Sequence, residues 1–162
     1  MKHRCLMSLL LFALTFAARA DLTEAVVAHA QGNFERALQV LLPLARSSND
    51  PYAQYYLGIM YANGQGVEKD LSAAGRWFKS AAEQGLPQAQ FRLGDIYAQG
   101  QGVTRDLGSA YAWFSVASQA GHSQAAAALT DTSGKLSPES LEAAKRLATD
   151  LSKRYGKKQE QH

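Results

Sequence analysis

Part of this chain is written twice, and that repetition limits its fold more than any other feature. A shift of 36 residues lays residues 52–85 over residues 88–121. The copies agree at Ala53/Ala89, Leu57/Leu93, Gly58/Gly94, Tyr61/Tyr97, Ala62/Ala98, Gly64/Gly100, Gln65/Gln101, Gly66/Gly102, Val67/Val103, Asp70/Asp106, Leu71/Leu107, Trp77/Trp113, Phe78/Phe114, Ala81/Ala117 and Gly85/Gly121. Gln84 meets Gln119 one place out of register. A fixed period of this size marks a stack of like supersecondary units. Such stacks build extended surfaces on which other molecules lie.

Each unit reads as two helices. Over residues 51–63, Ala53, Leu57, Met60 and Tyr61 recur on one helical face. Gly58 and Gly94 fall inside these first helices, where glycine costs about 1 kcal/mol relative to alanine. A cost repeated at one position implies that the unit's second helix crosses there and leaves no room for a side chain. Gly64 and Gly100 suit a left-handed helix end, and Gly66 and Gly102 turn the loop back. This glycine-rich loop lacks the Lys-Ser/Thr of a phosphate cradle and follows no strand. Asp70 and Asp106 are expected to cap the second helices. There Ala74, Trp77, Phe78 and Ala81 recur as Ala110, Trp113, Phe114 and Ala117. An aromatic pair that repeats with the packing pattern reads as core rather than as a ligand cage.

A degenerate unit precedes the two clear ones. A short helix over about Leu22–Ala30 is followed by a turn at Gly32-Asn33 and a helix carrying Leu38, Leu41, Leu42 and Ala45. Leu41 and Leu42 occupy the Trp-Phe places. Downstream, residues 123–130 begin another first helix, with Ala125 in the Ala53/Ala89 register, and Thr132–Lys135 reads as a loop. Ser137-Pro138 then gives a helix-start signal. Leu141, Ala144, Leu147, Ala148, Leu151 and Tyr155 form one apolar face of a last helix expected to cap the open end of the stack. Glu139 and Glu142 early and Lys153 and Arg154 late complement its dipole. The expected units are about 22–49, 50–85 and 86–121, with a partial unit and capping helix over 122–155 and a disordered tail over 156–162.

The first twenty residues read differently. Lys2, His3 and Arg4 precede an apolar run from Cys5 to Ala18, and Ala18-Arg19-Ala20 fits a small-x-small cleavage site. This is the pattern of a secretory signal cut after Ala20. The run is shorter than the roughly 18 residues a spanning helix needs, so no stable membrane insertion is expected after cleavage. The segment carries Lys2, Arg4 and Arg19 and no acid, so the remaining chain holds 14 basic and 14 acidic residues. That balance argues against nucleic acid or anionic lipid as a partner. The single cysteine, Cys5, also lies in the leader, so packing alone must hold the domain together. No Ser or carboxylate has a histidine at motif spacing, and no catalytic, cofactor or metal site is expected.

Leu-Gly-x-x-Tyr, then Gly-x-Gly-Val-x-x-Asp, then Ala-x-x-Trp-Phe-x-x-Ala and a closing Gly resemble Sel1-like repeats, relatives of tetratricopeptide repeats with a longer turn. The resemblance is strong over about Asp50–Ala125 and looser over the rest of the chain after the leader. It implies an all-α fold, a right-handed α-solenoid that binds a protein or peptide partner. Exported bacterial relatives act as adaptors or regulators in the envelope, which implies a periplasmic or secreted scaffold that is not an enzyme. In such solenoids the first helix of each unit lines the concave face. The candidate partner-binding residues are therefore Tyr52, Tyr55, Ile59 and Asn63 in one unit and Gln88, Phe91, Asp95 and Gln99 in the next. His29, with Val26, belongs to the unit before. The set is aromatic and amide-rich with little charge, which suits a peptide or a helix. Tyr52 and Tyr55 could equally pack against neighbouring helices. A glycan-binding module of the envelope is the alternative function.

Overall fold

The structure is a computed structural model that describes residues 21–156. The expected leader, and the expected tail beyond Gly156, lie outside the described residues. Among the described residues the fold is all-α. The helices are α1 over residues 21–30, α2 Phe34–Arg46, α3 Pro51–Asn63, α4 Leu71–Glu83, α5 Pro87–Gln99, α6 Leu107–Gln119, α7 Ala125–Ser133 and α8 Pro138–Tyr155. None of them is long and apolar enough to cross a membrane.

The helices pair as the period requires. α3 packs on α4 and α5 on α6, and the pairs are joined through α2–α3, α4–α5 and α6–α7 seams. The first core is continuous across such a seam. Ala25 and Ala28 of α1 meet Ala37, Leu41, Leu44 and Ala45 of α2 and Ala53, Leu57 and Met60 of α3.

The glycines inside the first helices stand where a phenylalanine presses. A Cβ on Gly58 would lie 2.6 Å from the Phe78 ring, and one on Gly94 would lie 2.6 Å from the Phe114 ring. Both rings are buried, so neither can swing aside. Gly64 and Gly100 cap their helices at φ 71. The loops that follow make the seams. A Cβ on Gly66 would strike Phe34 of α2 at 2.8 Å, and one on Gly102 would strike the Leu71 backbone of α4 at 2.6 Å. Each loop thus rests on the start of the preceding unit's second helix.

Caps follow the expected residues. The Asp70 carboxylate accepts from Ala73 N, and that of Asp106 accepts from Gly108 N and Ser109 N. The bond from the Ser109 hydroxyl holds the Asp106 carboxyl below the usual carboxylate range. Asp50 caps α3 in the same way.

The C-terminal part differs in one boundary. Thr132 and Ser133 belong to the last turn of α7 rather than to a loop. The Thr132 hydroxyl donates to Ala128 O at 2.7 Å, which keeps this buried polar residue helical. α8 starts at the expected Ser137 cap, whose hydroxyl accepts from Ser140 N. It packs along α6 and reaches α4. Tyr155 stacks on Trp113 with ring centroids 5.9 Å apart, and Leu151 joins the same cluster with Ala81, Ala82, Leu86, Ala89 and Leu93. Leu147, expected on the apolar face, is 38% exposed.

Two glutamines complete the seams, and both are buried. Gln54 Nε2 donates to Ala45 O, and Gln90 Nε2 donates to Ala82 O, each at 3.2 Å. The acceptor carbonyls belong to the helix before, so the bonds cross from one unit to the next. Gln54 Oε1 accepts from Gln84 Nε2 at 2.8 Å. Gln90 Oε1 has no partner among the described residues. The reason is the register slip seen in the sequence. One period beyond Gln84 stands Ala120, and Gln119 turns to Ser115 instead.

These contacts fix two expectations, both measurable by urea unfolding. Gly58→Ala or Gly94→Ala should destabilise by about 2 kcal/mol, because a methyl must displace a buried ring. Gly75→Ala should stabilise by about 0.5–1 kcal/mol, since nothing crowds its Cβ position and the next copy carries Tyr111 there. Equal effects at Gly58 and Gly75 would refute the close-approach reading. Ala120→Gln should add about 1 kcal/mol by answering the Gln90 carbonyl. Ala120 and Gln84 share a backbone conformation (φ −83, ψ 4 and φ −89, ψ 0), so the geometry is already in place. Ala120→Met, equal in length but without a donor, should not reproduce the gain.

Candidate functional site

The residues expected to face a partner divide by how firmly the fold holds them. His29 is held. Its Nε2 lies 3.0 Å from Gln65 Oε1, and its ring sits against Phe34 and Tyr56 at 5.5 and 5.6 Å between centroids. Tyr55 leans on Phe78 at 5.7 Å, and Phe91 leans on Phe114 at 5.5 Å. Each member of the first pair lies one period before its counterpart in the second. The aromatic contact is therefore part of the repeat, although the letters at 55 and 91 differ. Ile59 packs beside Ala74, Phe78 and Ile96. By contrast Asn63, Gln88 and Gln99 are exposed, as is Tyr52 at 46%.

Asn63, Asp95 and Gln99 come together around a cleft of about 310 Å³ where α3, α4 and α5 meet. Its apolar wall is Ala74, Phe78 and Ile96, and Lys69, Arg92 and Gln101 complete the rim. Asn63 and Gln99 end successive first helices one period apart, so an amide recurs at each step of the stack. Tyr52 and Gln88 begin those helices and do not line the cleft. His29 belongs to the unit before and is also outside it.

Sequence reasoning missed Arg92, Lys69 and Gln101. The signal was available in the comparison of the two copies. Arg92 stands in the place of Tyr56, and Asp95 in the place of Ile59. Tyr56 packs against the preceding unit through His29, and Arg92 makes the same lean toward Phe78, with Cζ 5.8 Å from the ring centroid. A position that reaches back across the seam is apolar in one copy and charged in the other.

The electrostatics follow from partial burial. Burial pushes the Asp95 carboxyl above its ordinary value, while Arg92 and His122 pull it down. The His122 imidazole is held below its ordinary value by burial, against the pull of Asp95. Its ring stacks on Phe91 at 4.3 Å and 12°, and its Nδ1 is buried without a partner among the described residues. The Tyr55 phenol is raised by burial, with Arg92 opposing. No three of His, Cys, Asp and Glu converge as metal ligands among the described residues. The cleft is polar at its rim and apolar on one wall.

Comparison with known proteins places this geometry. The Sel1 repeat pattern matches residues 51–86 and 87–122. Among solved structures, a protective antigen of uropathogenic Escherichia coli strains with an SLR fold is similar at a TM-score of 0.81 and 31% identity. That alignment covers 86% of this chain and 30% of the antigen. A Sel1 repeat protein from Oxalobacter formigenes aligns at a TM-score of 0.65 and 26% identity, over 80% of this chain and 55% of its own. The chain thus spans about a third to half the length of these relatives. A comparison with curated proteins gives no match. Sel1-repeat proteins are scaffolds for protein interaction. The matched residues are those that build the glycine–phenylalanine crossings and the seams, and the chain carries two Sel1 repeats.

Proposed function

We propose that this chain is an exported adaptor of the bacterial envelope that holds a peptide or protein partner along the face formed by α3 and α5. The observation that carries the reading is the inter-unit cleft, where Asn63 and Gln99 repeat an exposed amide along the stack. Spaced amides can bond an extended backbone, and Ala74, Phe78 and Ile96 form the apolar wall behind them. The leader-like first twenty residues support export. The glycan alternative needs an indole platform open to solvent. Trp113 is 6% exposed and covered by Tyr155, and Trp77 packs on the first core. A catalytic reading has no nucleophile–base pair in the cleft to rest on.

Crosslinking in living cells followed by mass spectrometry tests the adaptor reading. Tyr52→Ala combined with Asn63→Ala and Gln99→Ala should abolish recovery of the major crosslinked protein. These side chains lie at the surface, so the change in stability should stay within about 0.5 kcal/mol per site. Unchanged recovery by a folded triple variant would remove the groove from consideration. For export, N-terminal sequencing of the protein from the periplasmic or secreted fraction should begin at Asp21. Full-length protein found only in the cytosol would sink that part.

A further inference from the structure

We propose that the cleft between α3, α4 and α5 accepts the carboxylate side chain of an Asp or Glu in an extended peptide, with Arg92 as its counter-charge. This rests on reading the groove as a peptide site. The first observation is an unused cation. The Arg92 guanidinium lies over the Phe78 ring, and no hydrogen bond or ion pair engages it among the described residues. The ring fixes its place without consuming its five N–H donors. Lys69 stands on the same rim, exposed and likewise without a hydrogen bond or ion pair among the described residues. Its neighbour Asp70 spends its carboxylate on capping α4.

The second observation is a surplus of donors around that cation. Gln101 Nε2 donates to Gln99 Oε1 at 2.6 Å, which occupies the Gln99 amide oxygen and leaves its N–H donors unengaged among the described residues. Asp95 is the one carboxylate on the rim. With Lys69 and Arg92 against Asp95 the rim carries an excess of positive charge, and a carboxylate answers a guanidinium with two parallel bonds. The third observation is the comparison between copies. Tyr56 and Ile59 become Arg92 and Asp95, so charge enters at this seam and not at the seam before it.

A side chain suits the site better than a chain terminus. Amides line the cleft from both units, Asn63 on one and Gln99 and Gln101 on the next. They offer main-chain partners to a peptide that runs on beyond the acidic side chain. Asp95 carries the ligand's own sign of charge and opposes it. His122, stacked on Phe91, is the other titratable group facing Asp95.

The test is selection of random dodecapeptides on the purified chain, from one library flanked by linker at both ends and a second with free C-termini. The linker-flanked selection should give peptides sharing an Asp or Glu at one place. The synthetic Glu→Gln version of a selected peptide should bind about tenfold weaker or worse, and Arg92→Gln should impose a similar loss. The two losses should not add when combined, as a double-mutant cycle requires for direct contact. Arg92→Lys should fall between, and Asp95→Asn should tighten binding of the acidic peptide about threefold or more by removing a like charge. Circular dichroism melting of each variant separates lost binding from lost fold.

Selected peptides without a shared acid, but dependent on Asn63 and Gln99, would overturn the carboxylate assignment and leave the peptide groove standing. Enrichment confined to the free C-terminal library would overturn the side-chain source. Basic peptides weakened by Asp95→Asn would assign recognition to the wrong charge and also overturn the proposal. Failure of any peptide to enrich would sink the groove reading with it.

Discussion

The contact on which this structure depends is the meeting of a phenylalanine ring with a helix backbone. Phe78 over Gly58 and Phe114 over Gly94 bring the two helices of a unit closer than any side chain at those glycines would allow. Close approach aligns the rest of the pair, including the aromatic residue at 55 or 91 that leans on the same ring. The apolar wall of the cleft is the edge of that packing. The same Phe78 that presses on Gly58 also carries the Arg92 guanidinium, so the helix crossing and this charge share one ring.

Much of the fold was legible because repetition separates structural demand from chance. A glycine in a helix is weak information, whereas two at one period identify a crossing. The aspartate caps, the left-handed turns and the α8 start were readable from local chemistry alone. The end of α7 was not, because the back-bond from Thr132 that extends it depends on burial by neighbours. The placement of α8 along α6 was equally hidden, since an apolar face says that a helix packs and not against what.

The surface was harder to read than the core, and for a different reason. Periodicity identifies the residues that match, while a binding cleft gathers residues that do not. Asn63, Asp95 and Gln99 were found by subtraction. Arg92, Lys69 and Gln101 required knowing which neighbouring unit each side chain leans on. Tyr55 and Phe91 differ as letters and agree as rings on Phe78 and Phe114, and comparing the copies by chemical class groups them together.

The buried glutamines at the seams bear on how an array of this kind changes length. Gln54 and Gln90 each donate to a main-chain carbonyl of the preceding helix, Ala45 O and Ala82 O. A main-chain acceptor is present whatever side chain the residue bears. A duplicated unit spliced in at this boundary would therefore find its donor answered on arrival, with no compensating substitution upstream. The second glutamine bond, from Gln84 to Gln54, is between side chains and has no such insurance, and it is the one absent from the following copy. Gene duplication would thus propagate the main-chain link intact and let the side-chain link decay, leaving in the unanswered Gln90 amide a record of drift since the copies parted.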